Sequence, residues 1–298
     1  NIEPLNEEII VLEAADRKET LQYQSNKTLP LNGELDLLKG VYNRIQEDYG
    51  VSATGFKLQT FVDAPAGSGL GTSSTLVVAI IGAFAEMLKL PLGEYDIAHY
   101  AYQIERKYLN LAGGRQDQYA ATFGGVNYME FYEQDKVIVN PLRIKSEYLS
   151  ELENNLVLFY TASSRESATI IKEQQKNVEL KKEGSIDAMH QLKEQSRMMK
   201  EALLKGRLGE IGEILDFGFQ QKRKMAANIS NHFIEEIYEA AKKAGASGGK
   251  ISGAGGGGFM IFYCPGNTRY NVIETLRQFG GEVKQYTFTK NGLSSWAV

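Results

Sequence analysis

A glycine-rich run between a strand pattern and a helix pattern constrains the fold of this chain more than any other feature. The run Asp63-Ala-Pro-Ala-Gly-Ser-Gly-Leu-Gly-Thr-Ser-Ser-Thr75 follows alternating residues at 56–62 and opens an apolar stretch at 76–90. A strand, a glycine turn and a helix N-terminus together present backbone N–H groups and the positive end of a helix dipole to an anion. Three glycines at alternate positions let the backbone approach a phosphate closely. The run therefore predicts a nucleotide phosphate site.

The composition argues against several other classes of protein. A net charge of −4, with acids and bases interspersed, gives no electrostatic basis for binding nucleic acid or an anionic membrane. The single cysteine, Cys264, excludes an internal disulfide framework and suits a reducing compartment. Three scattered histidines argue against a histidine-built metal centre. We therefore expect a cytoplasmic protein without nucleic-acid or membrane partners, acting as a monomer or homodimer on a small molecule.

Hydrophobic periodicity predicts an α+β protein, in which helices pack on one side of largely antiparallel strands. The length of 298 residues suggests about two domains, which we place at residues 1–150 and 151–298. Alternating or buried-looking runs predict strands at residues 8–12, 20–23, 56–62, 126–131, 136–139, 156–160, 259–263 and 282–288. Helical spacing predicts helices at residues 34–49, 76–90, 94–109, 118–123, 164–177, 185–204, 208–226, 231–244 and 268–279.

Three familiar motifs do not account for the glycine runs. A Walker A loop needs Gly-Lys-Ser/Thr, and no lysine occurs between Asp63 and Lys89. The Rossmann spacing is not met, because Gly67, Gly69 and Gly71 alternate strictly. A Gly-x-Ser-x-Gly sequence at 245–249 follows a helix pattern instead of a strand and has no histidine after it. We interpret it as a glycine turn at a helix end.

The run Pro65-Ala-Gly-Ser-Gly-Leu-Gly-Thr-Ser73 resembles the Pro-x-x-x-Gly-Leu-Gly-Ser-Ser hallmark of the GHMP kinases, with Thr72 in place of the first serine. Late in the chain, Lys250-Ile-Ser-Gly-Ala-Gly-Gly-Gly257 is similar to the C-terminal glycine motif of that family. The resemblance covers essentially the whole chain. It implies a GHMP-kinase fold, with an N-terminal ribosomal-S5-domain-2-like domain that binds ATP and a C-terminal ferredoxin-like α/β domain. The implied ATP-binding residues are Pro65, Ala66, Gly67, Ser68, Gly69, Leu70, Gly71, Thr72, Ser73 and Ser74.

The resemblance also implies catalytic and metal-binding residues. Glu105 would hold Mg²⁺ together with the Ser73 hydroxyl, since magnesium takes few protein oxygens and several phosphate oxygens. Its position alone would instead favour a side chain in a surface ion pair. Asp117 would contact the acceptor hydroxyl and take its proton, although it could instead cap the helix at 118–123. Arg115 would steady the developing charge and pair with Asp117.

Within the family, the sequence is most similar to those of the heptose phosphate kinases and the related fucokinase-type enzymes. That similarity implies ATP-dependent phosphorylation of the anomeric (C1) hydroxyl of a heptose 7-phosphate. A kinase of a free sugar such as fucose or galactose, and a non-catalytic sugar or nucleotide sensor on the same fold, remain alternatives. The substrate-binding residues are predicted to be Gly113, Gly114, Ser163, Ser164, Arg165, Gly253, Ala254 and Gly255.

The start of the chain departs from the pattern of these relatives. They begin with a Pro-Leu-Arg run and a Gly-Gly-Gly-Ser/Thr-Asp run that help to hold the sugar, and this sequence has neither. It opens with Asn1 and enters a hairpin pattern almost at once. We expect that an N-terminal piece precedes the sequence given. A chain that truly lacked that piece would be an inactive relative.

Overall fold

A computed structural model describes residues 1–25, 27–50, 55–65, 67–162 and 167–297. Contacts divide the chain into two compact units. The first comprises Asn1–Pro65, Gly71–Gly125 and Lys290–Val298, and the second comprises Ala66–Leu70 and Val126–Thr289. The domain boundary expected near residue 150 stays a prediction, because these units are defined by contacts and each is discontinuous in sequence.

The first unit is built on a four-stranded sheet of order β1-β4-β2-β3. Its strands are β1 (Ile2–Pro4), β2 (Ile9–Ala14), β3 (Glu19–Gln24) and β4 (Phe56–Thr60). β2 pairs with β4 in parallel, whereas the pairs β1–β4 and β2–β3 are antiparallel. The alternation read from the sequence puts every second side chain of β2 and β4 into the core, as the period of a strand requires.

Helices cover the apolar face of this sheet. They are α1 (Asp36–Tyr49), α2 (Thr72–Leu88), α3 (Glu94–Tyr102) and α4 (Gln116–Phe123), with a π-helical turn at Gln103–Tyr108 directly after α3. Phe56 of β4 meets Phe84 of α2 edge to face, with ring centroids 5.2 Å apart. Both rings are fully buried, so this contact locks α2 to the sheet. The segment 290–297 returns to this unit, where the Leu293 N–H donates to the Thr122 carbonyl at 3.0 Å.

The second unit contains an antiparallel sheet of order β10-β7-β9-β8. Its strands are β7 (Leu156–Tyr160), β8 (Gly248–Ile251), β9 (Phe259–Tyr263) and β10 (Glu282–Lys284). Helices separate β7 from β8 and β9 from β10, whereas β8 and β9 form a hairpin. This β-α-β-β-α-β connectivity is that of a ferredoxin-like domain, as the family resemblance implies.

The helices of the second unit pack with its sheet in two apolar clusters. They are α5 (Ser146–Asn155), α6 (Ser167–Glu179), α7 (Glu183–Lys205), α8 (Ile211–Arg223), α9 (His232–Lys243) and α10 (Arg269–Leu276). A separate hairpin joins β5 (Asn127–Phe131) to β6 (Val137–Pro141). Among the described residues, no helix combines the length and apolar character needed to cross a membrane.

The α+β class and most predicted elements are confirmed, with four differences. The strand expected at 282–288 ends at Lys284, because Tyr286 turns away to donate a hydrogen bond to the Glu153 carbonyl at 2.9 Å. Helix α5 and strands β1 and β8 were not predicted. Helix α5 has a polar sequence and buries only Leu152 and Asn155, so it shows no clear apolar periodicity.

Candidate active site

The glycine-rich run forms the N-terminal end of α2. Gly71 lies at the N-cap with φ +73°, a left-handed conformation that glycine adopts without the steric cost of a Cβ. Its carbonyl accepts from the Thr75 N–H at 2.9 Å and so closes the first turn. Because Gly71 has no side chain to cap the helix, the first turn of α2 suits an anionic ligand.

Ser73, in the first turn of α2, contacts the buried carboxylate of Glu105. The Ser73 hydroxyl donates to Glu105 Oε1 at 2.8 Å. The Gln118 amide donates to Glu105 Oε2 and, at 3.0 Å, to the Ser74 hydroxyl. Glu105 and Gln118 are both fully buried. A buried carboxylate surrounded mainly by neutral donors is a site at which a cation would be stabilised.

The π-helical turn explains why Glu105 is buried. The Leu109 N–H donates to the Ile104 carbonyl at 2.9 Å, which spans five residues where an α-helix would span four. The wider turn places both Ile104 and Glu105 at zero exposure, although they are adjacent in sequence. Sequence periodicity makes Glu105 a surface residue, and the turn reverses that interpretation. Turns of this kind occur frequently at functional sites.

The oxygens of Ser73 and Glu105 fit a magnesium ion. Magnesium takes ligands at about 2.0–2.1 Å in octahedral geometry, so neighbouring ligand oxygens lie about 2.9 Å apart. The separation of 2.8 Å between Ser73 Oγ and Glu105 Oε1 matches that spacing. Within the described part of the chain, no group of three or more His, Cys, Asp or Glu side chains is arranged to hold a metal. Two protein oxygens leave the remaining positions to water and phosphate, which is the arrangement that magnesium prefers.

Arg106 forms hydrogen bonds to the loop between the π-helical turn and α4. Its guanidinium donates to the Gly114 carbonyl at 2.9 Å and to the carbonyls of Leu111 and Ala112 at 3.4 Å. A Cβ on Gly113 would lie 2.4 Å from Arg106 Cζ, so a side chain there would displace the guanidinium. Arg106 also approaches Glu105 Oε1 at 3.8 Å. One arginine thus links the buried carboxylate to the glycine loop.

Asp117 lies beside the N-terminal end of α2. A Cβ on Gly71 would come within 3.0 Å of Asp117 Cγ and 3.2 Å of its Oδ2. The N-cap of α4 is Arg115, and Asp117 is one of the residues of the first turn, so the capping interpretation is not supported. Desolvation raises the pKa of Asp117; Arg106 opposes this rise and Glu105 adds to it. The side chain remains exposed in part. A carboxylate with this raised pKa is a better proton acceptor near neutral pH.

The Arg115 guanidinium lies over the ring of Tyr102, 4.9 Å from its centroid. This cation–π contact orients Arg115 from the last residue of α3. The cation that lowers the pKa of Asp117 is Arg106, not Arg115. The pairing of Arg115 with Asp117 therefore stays a prediction.

In the second unit, the C-terminal glycine motif packs directly on residues 67–70 of the phosphate loop. The Phe259 N–H donates to the Ser68 carbonyl at 3.1 Å. A Cβ on Gly253 would lie 2.8 Å from Gly69 Cα, so the two backbones touch. The Gln174 amide of α6 donates to the Ala254 carbonyl at 3.3 Å. The second glycine motif is therefore a fixed loop that supports the first, and not a linker.

The structure brings the predicted residues together in two groups. In the first unit, Ser73 contacts Glu105, and Asp117 lies against Gly71. In the second unit, Gly253 contacts Gly69. Four predicted site residues lie outside the described residues: Ala66, Ser163, Ser164 and Arg165.

Sequence reasoning missed Gln118 and Arg106. No periodic pattern distinguishes either residue. Their roles follow from the π-helical turn and from the fold of the glycine loop, which place Gln118 on the Glu105 carboxylate and Arg106 on the Gly114 carbonyl. Position offers one weak signal, because each directly follows a predicted site residue.

Two family models match the chain. The model of the GHMP kinases N terminal domain matches residues 36–125, and that of the GHMP kinases C terminal matches residues 199–282. The chain belongs to the GHMP kinase family, as its two glycine motifs predict. It is accordingly an ATP-dependent phosphotransferase.

Within this family, the chain is similar to several individual proteins. A D-glycero-alpha-D-manno-heptose 7-phosphate kinase of Campylobacter jejuni is 47% identical over 97% of this chain and 85% of its own length. The crystal structure of a D-glycero-D-manno-heptose 1-phosphate kinase from Bacteroides thetaiotaomicron is 42% identical, with a TM-score of 0.83 over all of this chain and 86% of that one. Lactococcus lactis galactokinase, at 17% identity and a TM-score of 0.73 over 97% of this chain and 86% of that one, shares the fold.

Proposed function

We propose that this kinase transfers the γ-phosphoryl group of ATP to the anomeric hydroxyl of a heptose 7-phosphate. The observation that carries the proposal is the 47% identity to a heptose 7-phosphate kinase over nearly the whole chain. The name of the 42% identical structural relative, a heptose 1-phosphate kinase, supports C1 as the position of transfer. Because the reaction consumes ATP, we place it in the cytoplasm.

Ser73 and Glu105 are the proposed protein ligands of Mg²⁺. Their oxygens lie 2.8 Å apart, and Gln118 holds the Glu105 carboxylate from the other side. The bound ion would neutralise the phosphate charge that develops during transfer. Gln118 keeps the carboxylate oriented, which is the usual task of a neighbour that does not itself bind the metal.

Asp117 is the proposed acceptor of the proton from the attacking hydroxyl. Its position at the N-terminal end of α2 puts a carboxylate beside the proposed phosphate site. The raised pKa brings it closer to the range in which a general base works best. Arg115, oriented by Tyr102, would balance the charge of the transferred group.

The proposed sugar-binding residues lie in two glycine loops, one in each unit. Gly113 and Gly114 are held by Arg106, and the backbone at residues 253–255 is held by Gln174 and by the phosphate loop. Such loops offer backbone donors and acceptors to hydroxyl groups without intervening side chains. Ser163, Ser164 and Arg165 are proposed to contact the phosphate at C7, as a short basic and hydroxyl-rich sequence would allow.

The test is ADP release by the full-length protein with Mg-ATP and a panel of acceptors. The panel contains D-glycero-D-manno-heptose 7-phosphate, the free heptose, fucose, galactose and mevalonate. We expect kcat/KM for the heptose 7-phosphate to exceed that of every free sugar by at least about 100-fold, because the lost phosphate contacts are charge-assisted. A higher kcat/KM for fucose or galactose would favour the free-sugar alternative. ADP release with none of the acceptors, despite tight ATP binding, would favour a sensor.

A further inference from the structure

Two lysines of the second unit lie beside the C-terminal glycine motif. Lys222 is in the last turn of α8, and Lys250 is in strand β8, against which α8 packs. The Lys222 ammonium donates a hydrogen bond to the Gly253 carbonyl. Gly253 in turn touches Gly69 of the phosphate loop. The ammonium therefore lies next to the point where the two glycine motifs meet.

The two ammonium groups repel each other and are partly removed from water. Burial, together with the charge of Lys250, lowers the pKa of Lys222 to about 7. Burial also lowers the pKa of Lys250. Two close cations with little solvent destabilise the folded chain unless an anion neutralises them.

No carboxylate supplies that neutralisation among the described residues. Neither lysine forms an ion pair there, whereas the acids near α8 have other partners. Glu235 pairs with Arg223 at 2.8 Å, and Asp216 accepts from the Tyr238 hydroxyl and faces Lys242 at 3.8 Å. The pair therefore differs from ordinary surface lysines, which are solvated or paired. A positive site without a protein counter-charge, next to a phosphate-binding loop, fits a phosphate ligand.

We propose that Lys222 and Lys250 form a phosphate-binding pair that holds a substrate's phosphoryl oxygens beside the C-terminal glycine motif. Lys222 lies outside both glycine motifs, and Lys250 is the first residue of the second motif. The proposal rests on the proposed function for the identity of its ligand, which is the phosphate of the sugar phosphate or the polyphosphate of the nucleotide.

The experiment compares Lys222→Gln and Lys250→Gln with Lys224→Gln in the full chain. Lys224 is exposed, lies two residues from Lys222, and donates a hydrogen bond to the Gln221 side chain at 2.9 Å. Its replacement removes the same charge from the same end of α8. For each variant, KM is measured for ATP and for heptose 7-phosphate, and the melting temperature is measured without ligand.

We expect Lys222→Gln and Lys250→Gln each to raise the same KM at least tenfold, which corresponds to about 1.4 kcal/mol. Lys224→Gln should leave both KM values within about twofold of the parent, as a surface charge would. A rise confined to heptose 7-phosphate identifies the sugar phosphate as the ligand, and a rise confined to ATP identifies the nucleotide. The ligand-free melting temperature of the two variants should not fall, because each loses a repulsion.

KM values that stay within twofold of the parent for both substrates would overturn the proposal. So would a lower melting temperature of the ligand-free variants, because it would give the lysines a structural role.

If the parent does not turn over heptose 7-phosphate, the proposed substrate is wrong and the lysine pair is tested separately. In that case ATP and inorganic phosphate should raise the melting temperature of the parent, and this rise should be lost in both variants. An equal rise in the melting temperature of parent and variants would contradict the proposed phosphate-binding pair.

Discussion

At the scale of single residues, the proposed chemistry depends on a buried carboxylate and a more exposed one. Glu105 is fully buried and held by Ser73 and Gln118, whereas Asp117 lies at the open N-terminal end of α2. Burial suits a metal ligand that must not move, and partial exposure suits a base that must reach a substrate. The two carboxylates therefore suit the different roles that we propose for them, because the protein surrounds them differently.

Replacing Asp117 by asparagine is expected to lower kcat by about two to four orders of magnitude, the usual effect of removing a positioned acid–base group. The affinity for ATP should change little, because α2 and the phosphate loop are untouched. The pKa of Asp117 is raised and its base form is lost as pH falls, so the acid limb of the parent's kcat profile should lie above the ordinary aspartate range. Steady-state kinetics across pH 4–8 measure both effects. Near-normal turnover in the variant would remove Asp117 from the mechanism.

Glu105→Gln and Ser73→Ala are expected to raise the magnesium concentration needed for half-maximal activity. The two side chains contact each other, so their effects should be less than additive in the double variant. Magnesium titrations of the parent, both single variants and the double variant measure this coupling. Titration curves that overlay the parent's in either single variant would exclude the proposed ligand pair.

The site residues could be predicted from the sequence where the family's motifs contain them. Ser73 and Glu105 were predicted from motif resemblance, and the structure places them in contact. Gln118 and Arg106 were not predicted, because their roles depend on the π-helical turn and on a loop that winds around a guanidinium. Local sequence carries almost no signal for either feature.

At the scale of elements, the decisive feature is the passage from the glycine loop into α2. Gly71 combines a left-handed backbone with close contact to Asp117, so that one residue sets both the start of the helix and the space for the carboxylate. The sequence predicted the strand, the turn and the helix correctly. The contact between the turn and Asp117, 46 residues later, follows only from the folded chain.

Gly71→Ala is expected to cost about 1–2 kcal/mol of folding free energy, because a Cβ is unfavourable in the left-handed region. It should also lower kcat at least about tenfold, because the new methyl group would displace Asp117. The control is Gly184→Ala in α7, where no atom lies within 4 Å of the new Cβ and alanine favours the helix. Thermal unfolding and kcat are measured for both. A Gly71 variant as active as the Gly184 variant would contradict the role given to this contact.

At the scale of the whole molecule, the α+β class was predictable from the periodicity of the strands and helices, whereas the ferredoxin-like sheet of the second unit was implied by the family resemblance. Helix α5 and strands β1 and β8 were not predicted, because α5 and β1 are short and mostly polar and β8 begins with two glycines. The compact units also divide the phosphate loop, with Ala66–Leu70 counted in one and Gly71 in the other. That division depends on which residues touch in space, and no composition shift in the sequence marks it.

The most direct test of the account is the product formed from Mg-ATP and D-glycero-D-manno-heptose 7-phosphate, identified by ³¹P NMR. The account predicts a heptose bisphosphate with a second phosphorus signal coupled to the anomeric proton, together with one ADP per sugar. A product phosphorylated at another carbon, or ATP consumed without any new sugar phosphate, would contradict it.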